Sequence, residues 1–122
     1  MYKLYFKTLF LLTTLFVFYM AITSHDISFI DNPYEDKMKH FMAFFTLSLL
    51  LNRSSSRYDA RIRNVTALLL FGIFIEIVQS FLPYRDASVY DVIADLGGIL
   101  SFQAALSSFR YLRDLLTPRP VV

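Results

Sequence analysis

The stretch IFIEIVQSFLPYRDASVYDVIADLGG, residues 73–98, decides the fold of this chain. It places Glu76, Gln79, Asp91 and Asp95 inside or beside segments that are otherwise apolar enough for a lipid bilayer. An ionisable side chain in such a segment costs about 2.5–3.5 kcal/mol on insertion scales, so it usually faces a polar partner or a water-filled cavity. The stretch therefore predicts membrane-spanning helices that share a polar cluster.

The composition also indicates a membrane protein, and residues 1–122 are expected to form a single integral membrane domain. Hydrophobic residues make up 56% of the chain and charged residues 18%, whereas soluble domains carry about 25% charged residues. The absence of cysteine excludes disulfides and thiolate metal sites. Basic residues lie at the ends of apolar runs and not in a stripe with aromatic residues, so no nucleic-acid partner is expected.

Four apolar runs predict an all-α bundle of four transmembrane helices, at about residues 4–23, 33–51, 65–82 and 89–108. Each run reaches about 27–30 Å as a helix, which is close to the thickness of the hydrocarbon core. The first run also fits a signal peptide, but the residues after it match a cleavage site poorly. In the fourth helix, small residues four apart, such as Ala94 and Gly98, would let another helix approach closely.

The starts of the helices are predicted from capping signals. Asn32 followed by Pro33 begins the second helix, and this early start is needed because the apolar residues alone are too few to span a bilayer. Asn64 is the expected cap of the third helix, and Ser88 is the expected cap of the fourth.

The distribution of basic residues predicts that both termini are cytoplasmic. With four spans, three basic residues lie on one side: Lys37, Lys39 and Arg85. Nine lie on the side that holds the termini and the second loop: Lys3, Lys7, Arg53, Arg57, Arg61, Arg63, Arg110, Arg113 and Arg119. Lys and Arg accumulate on the cytoplasmic side of membrane proteins, so the polar cluster is expected at the outer face.

Three short stretches should meet at that outer face, where the second helix begins, the third ends and the fourth begins. Each stretch carries two polar residues three or four positions apart, which places the pair on one helix face. The predicted ligand-binding residues are Asp36, Lys37, His40, Glu76, Gln79, Arg85, Asp91 and Asp95. His40 and Glu76 are the candidate catalytic residues, as acid or base.

Most of these residues also have a purely structural explanation, such as helix capping for Asp91 or an exposed turn for Arg85. Glu76 is the exception, because it lies about 9 Å inside the end of the third helix, where an unpaired carboxylate is costly. We therefore expect Glu76 to be protonated, to be hydrogen-bonded to His40 or Gln79, or to pair with Arg85.

A metal site is the less favoured interpretation of the cluster. One imidazole nitrogen and three carboxylate oxygens, from His40, Glu76, Asp91 and Asp95, would suit magnesium, manganese or zinc. A proton-sharing or ion-paired network is favoured, so neither a metal nor a cofactor is expected. The chain has no nucleophile elbow, phosphate-binding loop or HExxH pattern.

The stretches DKMKHFMAFFTLSLLL (36–51), EIVQSFLPYRDASVYD (76–91) and IADLGG (93–98) resemble the signatures of the VanZ-like family, in the same order and spacing. The resemblance covers about residues 33–106, and Asp95 departs from it because the family usually has Asn there. It implies a multi-pass protein of the bacterial cytoplasmic membrane. The founding member is linked to low-level resistance to the glycopeptide teicoplanin, which implies a role in the cell envelope.

Three functions remain open, and the sequence leaves undecided whether the protein is an enzyme. The first is binding of a lipid-linked or glycopeptide-type ligand, with Lys37, Lys39 and Arg85 holding its phosphate or carboxylate. The second is hydrolysis or group transfer with Glu76 or His40 as acid or base. The third is a structural or partner subunit without a ligand. Membrane lipids are expected partners, and a homo-oligomer is plausible because four short helices bury little surface.

Overall fold

The computed structural model describes residues 2–23, 35–54, 61–85 and 87–117. These residues form four α-helices: α1 (Tyr2–Ile22), α2 (Glu35–Ser54), α3 (Arg61–Ser80) and α4 (Val89–Leu116). The predicted all-α fold is therefore confirmed.

The four helices run alternately up and down. The end of α1 lies beside the end of α3, because Gln79 donates a hydrogen bond to the Ala21 carbonyl. The first turns of α2 lie beside those of α4, because His40 contacts Asp95. Consequently α2 and α4 are parallel to each other and antiparallel to α1 and α3, and the start of α2, the end of α3 and the start of α4 share one end of the bundle.

The start of α4 matches its prediction, whereas the start of α3 does not. Ser88 has an extended backbone, and its side chain accepts a hydrogen bond from the Tyr90 amide at 3.1 Å, as a cap does. The prediction that Asn64 caps α3 is wrong, because α3 begins at Arg61 and Asn64 lies buried in its first turn. Arginine favours helix nearly as well as leucine, so the polar start of α3 extends the helix beyond the apolar run.

The end of α4 and the predicted start of α2 both lie near a proline in the sequence. α4 continues to Leu116, well past the apolar run, and the amide of Thr117 closes its last turn on the Arg113 carbonyl at 2.9 Å. Residue 118 is proline, which disfavours helical backbone in the residue before it. The predicted start of α2 at Asn32 and Pro33 lies outside the described residues.

The core is a cluster of apolar side chains from α2, α3 and α4, with partly buried residues of α1 packed against it. Its fully buried members are Phe44, Leu47, Leu68, Ile75 and Ile99. α2 and α3 each contact the other three helices, and the most extensive contact is the one between α2 and α4.

α2 and α4 are in backbone contact at Gly98. A Cβ atom at this position would overlap the carbonyl oxygen of Phe41, and it would lie 3.0 Å from the amide nitrogen of Phe45. This confirms the expectation that a small residue of the fourth helix admits a neighbouring helix.

Three of the described helices are long and apolar enough to cross a membrane: Lys3–Ile22, Arg61–Ser80 and Val89–Leu116. α2 is not among them, since its first turns, EDKMKH, carry four charged residues and a histidine. Large apolar side chains such as Leu11, Leu15 and Phe16 lie exposed on the outside of the bundle. Exposed apolar surface of this extent, on helices of spanning length, identifies a membrane protein.

Candidate functional site

His40, in the second turn of α2, lies at the centre of a polar cluster between three helices. Its Nδ1 is 2.7 Å from Oδ1 of Asp95, and Asp95 has no solvent exposure. The facing residue of α3 is Gly72, where an added Cβ would lie 2.7 Å from Oδ2 of Asp95. The missing side chain of Gly72 therefore provides the space that the buried carboxylate occupies.

The other ring nitrogen, His40 Nε2, faces three carboxylate oxygens. They belong to Asp36 at 3.8 Å, Glu76 at 3.9 Å and Asp91 at 3.9 Å. These separations exceed the 2.7–3.2 Å of a hydrogen bond, so the imidazole is not bonded to any of the three. The oxygens instead surround Nε2 at nearly equal distances.

Glu76 connects the end of α3 to the start of α4. Its Oε2 accepts a hydrogen bond from the Ser88 amide at 2.9 Å, while its Oε1 is directed towards His40. Glu76 is only 8% exposed, and Oε1 has no hydrogen-bond partner within the described part of the chain. A buried carboxylate oxygen without a partner is costly, so this oxygen calls for a hydrogen-bond donor or a cation from outside the described residues.

The cluster extends from the interior to the surface at the first turns of α2. Asp91 is 2% exposed and lies 3.7 Å from the Lys37 ammonium, whereas the side chain of Asp36 is 51% exposed. We call this group the His40 cluster, and its members are Asp36, Lys37, His40, Glu76, Asp91 and Asp95. A ligand would reach it past Asp36 and Lys37.

Arg85 was expected in this cluster, but it binds the end of α1. Its guanidinium donates to the Met20 carbonyl at 2.7 Å and to the Thr23 carbonyl at 2.9 and 3.1 Å. Among the described residues no ion pair joins Arg85 to Glu76. The expected pairing of Glu76 with Arg85 is therefore wrong, because the carbonyls at the end of α1 lie where the guanidinium reaches them.

Gln79 and Tyr84 complete the same cap. Gln79 donates to the Ala21 carbonyl at 2.9 Å, and the Tyr84 hydroxyl donates to the Ile22 carbonyl at 2.6 Å. The last carbonyls of a helix have no partner within it, and in a membrane they require one from elsewhere. The sequence suggested a bond between Gln79 and Glu76. The amide of Gln79 instead donates to a free carbonyl at the end of α1.

Gly72 and Tyr84 are the residues of this region that sequence reasoning missed. A signal existed for Gly72, since a glycine within a helix of large apolar residues often marks a close approach. For Tyr84 the only signal was its position beside Pro83 in the turn after α3, which is typical of many exposed residues.

The fold and the cluster together define a class: an all-α membrane protein with a buried His and carboxylate cluster where three of its helices meet. Comparison with known families identifies the family within this class. The model of the VanZ/LLP1 family matches residues 3–109, and the chain belongs to this family.

A relative of known sequence is an uncharacterised protein of the fission yeast Schizosaccharomyces pombe, C11E3.10. The two are 39% identical over 72 residues, which cover 54% of this chain and 43% of the yeast protein. The matched region thus spans less than half of the relative's length. Because the relative is eukaryotic, the similarity gives no support to a bacterial source. No solved structure matches the chain.

Proposed function

We propose that the protein crosses the membrane four times, with both termini in the cytoplasm and the His40 cluster at the outer face. The orientation of α2 supports the fourth span, because α2 lies parallel to α4 and in backbone contact with it at Gly98. A helix of 20 residues is about 30 Å long, which suffices to cross the hydrocarbon core. The charged first turns of α2 would then lie among the lipid headgroups.

Labelling of single cysteines tests this topology, and the absence of native cysteine removes background. In intact cells, an impermeant maleimide should label Phe81→Cys and Val89→Cys, which are exposed at the cluster end of the bundle. It should label Ile62→Cys and Leu116→Cys only after the membrane is opened. Labelling of position 62 or 116 in intact cells, with none at 81 and 89, would show the reverse orientation.

We further propose that the His40 cluster binds the polar part of a lipid-linked or glycopeptide-type ligand in the cell envelope. The observation that carries this proposal is Oε1 of Glu76, a buried carboxylate oxygen that faces His40 and has no hydrogen-bond partner among the described residues, in a cluster whose surface side is the exposed Asp36. A purely structural network would be expected to satisfy its own oxygens. Unused acceptors indicate that donors come from a ligand.

The charge of the cluster favours a ligand rich in hydroxyl or amino groups. Three cations were expected to hold an anionic group, but each is engaged: Lys37 with Asp91 at 3.7 Å, Lys39 with Glu35 at 3.5 Å, and Arg85 with the end of α1. Carboxylates are acceptors, so they bind donors such as sugar hydroxyls and ammonium groups. An unneutralised phosphate would be repelled.

The binding proposal is tested with the full chain in lipid nanodiscs. Teicoplanin and a glucosyl diacylglycerol serve as probes, and we expect at least one of them to raise the unfolding temperature in a saturable way. Glu76→Gln should weaken this binding at least tenfold, because it replaces the acceptor Oε1 by a donor. Asp114→Asn, which removes an exposed carboxylate far along α4, should bind as the wild type does. Unchanged binding by Glu76→Gln would contradict the proposal.

A second candidate function is catalysis of hydrolysis or transfer, favoured by the pair of Asp95 and His40. A carboxylate that accepts from Nδ1 leaves Nε2 free to take a proton, which is the arrangement of a general base. If the protein is such an enzyme, incubation with either probe gives a new product by mass spectrometry, and His40→Gln abolishes it. Intact probe after long incubation excludes the reaction for that ligand.

A further inference from the structure

We propose that the His40 cluster binds one divalent transition-metal ion, zinc or manganese, through His40, Asp36, Glu76 and Asp91. The inference deepens the proposed binding function and rests on it for the location of the site. Metal uptake can nevertheless be measured without any sugar or glycopeptide, so the two proposals can fail separately.

The first support is the arrangement of atoms around the imidazole. Three carboxylate oxygens lie 3.8, 3.9 and 3.9 Å from His40 Nε2. The candidate ligand atoms of Asp36, His40 and Asp91 also lie within 4.8 Å of one another. Ligand atoms around a tetrahedral zinc ion are about 3.4 Å apart, so modest side-chain shifts would place these three donors around one ion. Glu76 is not part of this closer group, and its Oε1, at 3.9 Å from Nε2, would move further to join them.

The second support is the orientation of the ring. When Asp95 is ionised it can only accept a hydrogen bond, and Nδ1 of His40, at 2.7 Å, is then the donor. In the neutral imidazole the lone pair then lies on Nε2, directed at the three oxygens. Histidine ligands of metals usually donate their other N–H to a carboxylate in this way. Asp95 thus acts as a positioning residue, and Gly72 makes room for it.

The third support is the position of the Glu76 side chain. It is a separate observation from the number of acidic residues in the cluster. Glu76 is more than nine-tenths buried, and its Oε1 has no hydrogen-bond partner among the described residues although it is directed at His40. Its other oxygen is fixed by the Ser88 amide at 2.9 Å. The side chain is therefore held with a free acceptor towards the point where the other donors meet, as a ligand would be.

The charge balance indicates a divalent cation. Four carboxylates lie in the cluster, and Lys37 is its one lysine or arginine, at 3.7 Å from Asp91. One imidazole with carboxylates suits zinc and manganese, whereas magnesium prefers an all-oxygen, largely hydrated octahedral shell. With four protein donors the shell of a tetrahedral ion is complete, so a further ligand would bind as a fifth donor, from the half-exposed side of the cluster at Asp36.

Metal uptake is measured on the full chain in detergent, without a histidine tag, after chelation and dialysis. Elemental analysis and calorimetric titration with Zn²⁺ and Mn²⁺ should give one ion per chain. Glu76→Gln and His40→Ala should weaken binding at least tenfold, and Asp95→Asn by about 10–100-fold, as is typical when the partner of a histidine ligand is removed. His25→Ala, which removes the other histidine, and Asp114→Asn should bind as the wild type does.

The wild-type protein alone also decides the question if variants fail to fold. Loaded with Co²⁺, it should show the intense visible absorption of a four- or five-coordinate ion and not the weak spectrum of the hydrated ion. Absence of a stoichiometric ion, a spectrum of hydrated Co²⁺, or loss of uptake in His25→Ala would each overturn the metal site. Saturable binding of teicoplanin or the glycolipid by metal-free protein would then leave the binding proposal standing.

Discussion

Gly98→Ala is expected to lower the free energy of unfolding by about 3 kcal/mol or more, the upper end of the usual cost of overpacking. The added Cβ would overlap the carbonyl oxygen of Phe41 and approach the amide of Phe45. Both atoms belong to the backbone of α2, so no side-chain rotation can relieve the overlap. The two helices must move apart, which also separates His40 from Asp95. Thermal or denaturant unfolding in detergent, followed by circular dichroism, measures the loss.

The neighbouring glycine provides the control. At Gly97 a Cβ would lie 3.5 Å from the ring of Phe41, which is ordinary van der Waals contact. Gly97→Ala should therefore be neutral, or stabilising by about 0.5–1 kcal/mol, because alanine loses less conformational freedom in a helix. Equal stability of the two variants would show that α2 and α4 are not in backbone contact at this level.

Arg85→Ala is expected to destabilise the protein by about 3 kcal/mol, because bonds from a charged donor contribute about 1.5–3 kcal/mol and the abandoned carbonyls lose their partners. The guanidinium makes three hydrogen bonds to Met20 and Thr23 at the end of α1. It also places a positive charge at the negative end of that helix. Limited proteolysis should show earlier cleavage near the end of α1, and the unfolding temperature should fall.

Arg113→Ala is the matched control for Arg85. Its side chain is 58% exposed and contacts only the adjacent Asp114, at 3.5 Å, among the interactions described. Removal of such an exposed residue should change the free energy of unfolding by no more than about 0.5 kcal/mol. Arg85→Lys separates charge from geometry, because it retains the positive charge but lacks the planar guanidinium whose Nε and Nη2 hold the two carbonyls in a fixed arrangement. We expect it to behave closer to alanine, and wild-type stability in Arg85→Lys would mean that charge alone suffices.

The meeting of the four central residues of the His40 cluster could be predicted from the sequence, because helix geometry and topology leave few alternatives. His40 lies near the start of one helix, Glu76 near the end of the next, and Asp91 with Asp95 at the start of the last. Alternating helices bring these ends together, and burial requires the charged groups to meet. Their roles as ligands remain predictions.

The partners of individual side chains could not be predicted in the same way. Arg85 and Gln79 lie beside the cluster in the sequence, yet both turn to the end of α1. Sequence patterns identify charges that need neutralising, whereas the unsatisfied carbonyls of a helix end leave no mark on residue types. The start of α3 was predicted wrongly for a related reason. Asn64 would be a helix cap only if Arg61 and Arg63 belonged to a loop, whereas both lie in the helix.

The contact at Gly98 has a consequence for how the cluster responds to its surroundings. Phe41 follows His40 directly, and Gly98 lies one turn beyond Asp95, so main-chain atoms set the spacing of the two helices right next to the imidazole. Rotamer changes move side chains, and changes in bilayer thickness mainly alter helix tilt. The separation between His40 and Asp95 should therefore depend less on the surrounding lipid than the exposed side of the cluster at Asp36 does.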